Sequence, residues 1–278
     1  MKVTLMPNLT REHAFDITVR LCEALDELKI EYDLFSDSPD FGRYFPSIKN
    51  SIDETTDLLI AIGGDGTVIR AAKSALPFDI PILGVNAGKL GFLTGLENDE
   101  MFLLKNLLNG NYFVEERLVL GIKIYNAKNE LIKEDFCIND AVFARGAEIR
   151  LASFDSYCDN KFINRYSSDG LIVATATGST AYNLSAGGPI VDPRVEGIIM
   201  TPICPHSLEE RAVLFSSNSV IKIGNPSENV LLSCDGNASI NFKKGYSAIL
   251  HKIDKKIRFV RLKDETFMDI LNKKMKTK

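Results

Sequence analysis

The stretch DLLIAIGGDGTVIRAA, Asp57 to Ala72, reads as a buried strand, a glycine turn and the first turns of a helix. Leu58, Leu59, Ile60, Ala61 and Ile62 form an apolar run without polar alternation, the pattern of a strand covered on both faces. Gly63, Gly64 and Gly66 allow positive φ and close approach of a ligand to the backbone. At the mouth of the helix, unpaired N–H groups and the dipole attract phosphate. Asp65 opposes that field. Its carboxylate either accepts a proton from an attacking hydroxyl or holds a divalent ion against phosphate oxygens, or it is simply a helix N-cap in a tight turn. The turn lacks both the GK[ST] ending of a P-loop and the GxGxxG spacing of a dinucleotide fingerprint.

The chain around this stretch has 278 residues, 45% hydrophobic and 25% charged, with a formal net charge of −4. That length accommodates two modest domains, and the charge balance offers no footprint for nucleic acid or an anionic membrane. No apolar run reaches the length of a transmembrane span, and Met1-Lys2-Val3 leads into a strand rather than a signal peptide. Cys22, Cys137, Cys158, Cys204 and Cys234 are odd in number and widely spaced, without a CxxC pair. They read as reduced thiols in a cytoplasmic protein.

In chain order, Val3 to Met6 is a strand, and Thr10 is placed to cap a helix with Ala14, Ile17, Leu21, Leu25 and Leu28 on one face. Tyr32 to Phe35 is a second strand, and 36–50 is a polar loop. Pro81 to Val85 is a strand after the glycine turn, and Asp99 to Leu108 reads as a helix. This alternation predicts an open, Rossmann-like α/β domain over residues 1–108, with the glycine turn at the carboxyl end of its strand. From 109 to 262 the grammar becomes that of a β-rich domain: short strand-like runs recur every ten residues or so, among them Phe136 to Phe143, Leu171 to Thr175 and Ile257 to Leu262. Asn126 to Asn129 reads as a hairpin turn. Phe267 to Leu271 reads as a last helical turn, and Lys273 to Lys278 as a frayed basic tail.

The β-rich half holds a second constellation. The strand Leu171 to Thr175 runs into Thr177-Gly178-Ser179 and a small-residue helix start. Hydroxyls, amides and glycines at one helix mouth make a polar ligand site, with Tyr182 as a stacking face; the plain alternative is a hydroxyl-rich cap. Asn139-Asp140 sets an amide and a carboxylate, suited to a purine edge and ribose hydroxyls, in an otherwise apolar run. An edge-strand bulge or a turn is the simpler reading of that pair alone. Cys234-Asp235-Gly236-Asn237 reads as a hairpin turn.

With GGDGT, Asn139-Asp140 and DGLIVATATGSTAYNLSAGGPIVDP (Asp169 to Pro193) in that order, the chain resembles the NAD kinases. NAGKLGF at Asn86 to Phe92 and TPICPHSL at Thr201 to Leu208 extend the similarity, which runs from Val3 to Leu262. GGDGT is shared with diacylglycerol-type lipid kinases; the TGSTAYNLSAGGP segment separates the two families. The resemblance implies an N-terminal α/β domain, a C-terminal β-rich NAD-binding domain and an active site between them, with 263–278 packing back on the first domain. It implies phosphate transfer from ATP to the 2′-hydroxyl of the adenosine ribose of NAD, giving NADP, with Mg²⁺ as the expected divalent ion.

By motif, Asp65 is then the proton acceptor, and Gly63, Gly64, Gly66 and Thr67 hold donor phosphates. Asn139 and Asp140 contact adenine and ribose; Asp169, Thr180, Ala181, Tyr182, Asn183, Leu184 and Ser185 line the dinucleotide pocket; Phe92 sits on the adenine side. Arg70, Arg150, Ser167, Thr177 and Asn237 occupy further nucleotide-contacting positions. Departures from the family pattern are Ala176 for Pro, Asn237 for Gln, Ser167 for the Arg of some relatives, and Glu209-Glu210 after PHSL. The resemblance also implies a homodimer or homotetramer. A lipid kinase sharing GGDGT and a non-catalytic NAD(P)-binding sensor are the alternatives.

Overall fold

A computed structural model of the chain describes residues 1–35, 51–146, 150–225, 227 and 229–276. The polar stretch 36–50 lies outside the described residues. Two compact units divide at Glu116/Arg117 and at Lys255/Lys256, so the first is built from both ends of the chain.

The first unit begins β1 (Lys2–Pro7), α1 (Ala14–Glu27), β2 (Glu31–Leu34), β3 (Leu58–Gly63), α2 (Asp65–Ala75), β4 (Ile82–Asn86), α3 (Lys105–Asn109) and β5 (Phe113–Arg117). In α1, Ala14, Ile17, Leu21 and Leu25 recur every three or four residues and are fully buried, which puts the apolar stripe on the sheet. The helix starts later than Thr10 suggests: His13 precedes it without a side-chain cap, and the Thr10 hydroxyl donates to Asn8 instead, at 2.7 Å. The predicted helix over Asp99 to Leu108 is a 3₁₀ turn, Met101–Leu104, running into the short α3. Only Leu104 and Leu107 are buried there, too small an apolar face for a longer helix.

The second unit contains β6 (Leu120–Tyr125), β7 (Leu131–Cys137), β8 (Asp140–Arg145), β9 (Ala152–Cys158), β10 (Lys161–Ser168), β11 (Gly170–Thr175), α4 (Tyr182–Ser185), β12 (Gly197–Ile203), β13 (Val213–Ser216), β14 (Ile221–Gly224), β15 (Val230–Cys234), β16 (Ile240–Phe242) and β17 (Ser247–Lys252). They form two six-stranded sheets, β10-β9-β14-β17-β6-β7 and β13-β12-β11-β8-β15-β16. Inward residues of both, including Ile122, Phe154, Phe143, Val173 and Phe242, share one core. β11 and β12 are buried at every position because a second cluster, Ile172, Ala174, Ala176, Val191, Ile199 and Ile203, covers their other face. The run Phe136 to Phe143, read as one strand, is two: it breaks at Ile138-Asn139, and β7 and β8 belong to different sheets.

The chain then returns to the first unit as β18 (Ile257–Arg261) and α5 (Phe267–Lys276). The six-stranded sheet has the order β2-β1-β3-β4-β18-β5, with β1, β2, β3, β4 and β18 paired parallel. Thus Phe113–Arg117 and Ile257–Arg261, which the sequence reading places in the β-rich half, are strands of the α/β sheet. The guanidinium of Arg261 explains their attachment: it is 6% exposed, donates to Glu115 at 2.9 Å and to the Thr94 carbonyl at 2.8 Å, and so ties β5 and the 92–94 loop to β18. The C-terminal segment is not frayed over its described length. Thr266 and Asp269 cap α5 reciprocally, Ile270 and Leu271 are buried, and Lys273 pairs with Glu265.

Candidate active site

The order β2-β1-β3-β4 reverses direction between β1 and β3, and Gly63 ends β3 beside that switch point, where open α/β sheets bind ligands. Of the turn glycines only Gly63 is required by its surroundings, and for space rather than for positive φ. Gly64 caps α2 at φ −104°, and none of Gly63, Gly64 and Gly66 has positive φ. A Cβ at Gly64 or Gly66 would face open space, whereas one at Gly63 would strike the Thr67 side chain. Thr67 itself is 3% exposed, and its hydroxyl accepts from Asn8 Nδ2 at 3.1 Å, so it braces the turn from within. Arg70 points outward on α2.

Asp65 is not an N-cap. Its two carboxylate oxygens accept the backbone N–H groups of Phe92 and Leu93, each at 2.9 Å, which fixes the acid across 27 residues of sequence. A side chain at Gly91 would collide with that carboxylate, so the NAGKLGF loop closes on Asp65 only with glycine there. Thr94 Oγ1 borders the same space, buried and without a hydrogen-bond partner. Phe92 is half-buried against α5: Phe267 stands 6.1 Å away centroid to centroid, and Lys274 Nζ lies 4.2 Å over the ring. The same Nζ is 3.8 Å from Asp65 Oδ2. Sequence reasoning missed Lys274; its only signal was its place one turn beyond Ile270 and Leu271 on the buried face of α5.

In the second unit the break between β7 and β8 is made by Asp235, a residue read from sequence as part of a plain hairpin turn. Its carboxylate accepts the backbone N–H groups of Ile138 (3.0 Å), Asn139 (2.7 Å) and Asp140 (3.3 Å). Thr175 Oγ1 donates to the Ile138 carbonyl at 2.6 Å and accepts Gly178 N–H at 3.1 Å, bringing the Thr177–Thr180 turn onto the same spot. Gly178 is required by that approach, because a Cβ would overlap the Asn139 carbonyl. Asn139, Asp140, Thr177, Asp235 and the Asn237 hairpin are therefore neighbours. Asn237 is exposed, its N–H bonded to the Cys234 carbonyl.

Asp140 is 4% exposed, and burial, followed by the nearby Asp235 charge, pushes its carboxyl up to about 7. Above the ordinary 3.8 the unfolded chain releases this proton while the folded chain keeps it. The Asp140 contribution to stability is thus complete below 3.8 and is lost as pH rises through about 7. Asp140→Asn is expected to abolish that loss, so chemical denaturation at pH 4.5 and 7.5 should show a smaller drop in the variant than in the wild type. Equal drops would remove Asp140 as the source.

The Thr180 to Ser185 segment divides by direction. Thr180 and Ala181 are half-buried, Tyr182, Leu184 and Ser185 are exposed, and Tyr182 presents its ring at 46% exposure. Asn183, expected in the ligand pocket, is fully buried: its amide donates to the Ser179 and Pro189 carbonyls, and Oδ1 accepts the Thr201 hydroxyl at 2.6 Å. With all these bonds turned inward, its side chain holds the segment in place rather than facing ligand. Asp169 immediately precedes β11, roughly 17 Å at about 3.4 Å per residue from the Ala174 position that pairs with Asp140, and Ser167 lies on β10 of the other sheet. Arg145 Nε bonds Asp169 there at 2.6 Å, and His206 N–H bonds the Ser167 carbonyl. Arg150 is exposed on a bend before β9.

Comparison with known proteins decides the family. The ATP-NAD kinase N-terminal domain matches residues 3–112, which carry GGDGT and the 86–92 loop, and the ATP-NAD kinase C-terminal domain matches residues 138–262. The chain belongs to the NAD kinase family. An NAD kinase of Natranaerobius thermophilus is 34% identical over 98% of this chain and 97% of its own, and one of Thermoanaerobacter sp. 37% over 99% and 98%. Among solved structures, yeast NADH kinase complexed with NADH aligns with TM-score 0.85 and 28% identity, over 98% of this chain and 85% of that one. An Archaeoglobus fulgidus NAD kinase in complex with ATP aligns over the whole of both chains, with TM-score 0.77 and 25% identity. The second domain match sets aside a lipid kinase, which would share only the glycine turn. As NAD kinases require, the chain is a phosphotransferase with an N-terminal α/β and a C-terminal β-rich part.

Proposed function

We propose that this NAD kinase transfers the terminal phosphoryl group of ATP to the 2′-hydroxyl of the adenosine ribose of NAD, with Asp65 as proton acceptor. The observation that carries the reading is the Asp65 carboxylate, held by two amides beside glycines that leave open space at a helix mouth. The amides opening α2 bind the donor phosphates. Asn139, Asp140, Thr177 and Thr180 receive the adenosine of NAD, and the exposed Tyr182 ring stacks on a base. Carboxylate and hydroxyl are partners of opposite need: the attacking ribose oxygen loses its proton to Asp65 as its bond to phosphorus forms. An intact Asp65 on this turn favours an enzyme over a sensor that only binds NAD(P).

Among the described residues no three His, Cys, Asp or Glu side chains are grouped as a metal cage. Mg²⁺ is commonly bound by one carboxylate or two together with substrate phosphates. The ion would be held by oxygens of the donor triphosphate and by water, and would neutralise charge on the transferring phosphoryl group while Asp65 stays free to take the proton. Five free cysteines support a reducing cytoplasm, and no described helix is long and apolar enough to cross a membrane. A homodimer or homotetramer is part of the proposal, carried by the family resemblance alone; a monomeric mass by light scattering would refute that assembly. The decisive assay couples NADP formation from NAD, ATP and Mg²⁺ to an NADP-specific dehydrogenase. Robust NADP formation is expected, and none from the active, folded protein would reject the reading.

A further inference from the structure

Phe267, Ile270, Leu271 and Lys274 share one face of α5 by their spacing of three and four residues. The first unit uses this face throughout: Ile270 and Leu271 are buried, Phe267 meets the Phe92 ring, and Lys274 ends the stripe at the acid. Lys273, the next side chain round the helix, is turned aside onto Glu265. The Lys274 side chain is 28% exposed, its ammonium steadied by the Phe92 ring at 4.2 Å. At 3.8 Å from Asp65 Oδ2 the two charges are neighbours rather than a close hydrogen-bonded pair. Asp65 puts a negative charge at the helix mouth that would repel an incoming triphosphate, and Lys274 is the cation placed to offset it.

We propose that Lys274 is a catalytic residue that binds oxygens of the donor triphosphate while Asp65 takes the proton. This rests on the reading of the glycine turn as the donor-phosphate site. In the step, the ribose oxygen–phosphorus bond forms, the bond from phosphorus to the bridging oxygen of the leaving ADP breaks, and the hydroxyl proton passes to Asp65. Lys274 contributes charge and hydrogen bonds and forms no covalent bond. The strap formed by α5 thereby carries a substrate contact from the last residues of the described chain into the site built by β3 and α2.

The test compares Lys274→Met, which keeps length and apolar stem, with Lys274→Arg, which keeps the cation. Methionine should raise the KM for ATP and the dissociation constant for ATP in equilibrium titration by roughly tenfold or more, the scale of one charge-assisted hydrogen bond. The KM for NAD should stay within about twofold, and arginine should restore most of the loss. Unchanged ATP binding in Lys274→Met overturns the proposal, and so does an equal weakening for both substrates or a failure of arginine to rescue, since either would make α5 a structural strap only. Gly64→Val separates the underlying reading: its Cβ enters open space and its φ suits a β-branched residue. If it leaves ATP binding intact, the turn is not the donor site, whatever Lys274 does.

Discussion

Asp65→Asn should reduce turnover by about 10²–10⁴ while the protein still folds and binds NAD. The chemical part follows from removing the only group on the turn able to take the ribose proton. The structural part is a smaller cost. Both Asp65 oxygens accept backbone N–H groups, from Phe92 and Leu93. Asparagine offers one oxygen and one NH₂, so one of the two amides would face a donor. Leaving that amide unsatisfied costs about 1–3 kcal/mol, which a domain with an ordinary 5–15 kcal/mol survives. The variant should therefore melt a few degrees lower and bind NAD within about twofold of wild type, in line with the local nature of a single lost hydrogen bond. Steady-state turnover, NAD titration and thermal unfolding on one preparation separate the two effects. Near wild-type turnover would take the base role from Asp65.

Asp235→Ala should be the most destabilising single change in the second unit outside its apolar core. Three backbone N–H groups, those of Ile138, Asn139 and Asp140, end on this one carboxylate. Deleting it strands donors at the point where β7 gives way to β8, and after local relaxation the loss should be about 3 kcal/mol or more. Asp235 also has φ +51°, a region alanine adopts at a cost of roughly 1–2 kcal/mol. Asp235→Asn tolerates that backbone and keeps one acceptor oxygen, so it should fall between wild type and alanine. Because Asn139 and Asp140 are presented by this cap, NAD affinity should fall by about tenfold or more in the alanine variant. A stability within about 0.5 kcal/mol of wild type, the usual range for an ordinary surface site, would show the cap to be dispensable. Asp140 should remain above the ordinary carboxylate range in either variant, since burial is the larger cause of its shift.

Much of the α/β core was legible because its signals are local. The run Leu58 to Ile62 is buried at every position, as a run without polar alternation must be in a sheet covered on both faces. The α1 stripe is buried at Ala14, Ile17, Leu21 and Leu25, though Leu28 is the C-cap and only half-buried, and the Asn126 to Asn129 turn closes β6 on β7. Less was legible where one side chain competes with the ladder. Within Phe136 to Phe143 the only local hint of a break is the polar pair Asn139-Asp140, because the group that makes it is Asp235, nearly a hundred residues later. Asn183 lies in a segment of ligand-site composition, yet its amide is consumed inside the protein by Ser179, Pro189 and Thr201.

By itself, then, the sequence determined most of the α/β strands and the apolar stripe of α1, the glycine turn with its acid, and the hydroxyl-rich turn that marks the family. These depend on φ/ψ preference, apolar period and capping, all set within a few residues. Tertiary structure alone decided that Phe92 and Leu93 grip Asp65, that Asp235 breaks a strand, that β18 completes the first sheet and that Lys274 arrives beside the acid. Each is a pairing between groups remote in the chain, and such pairings are chosen by which buried donors, acceptors and charges must be satisfied once the core has formed.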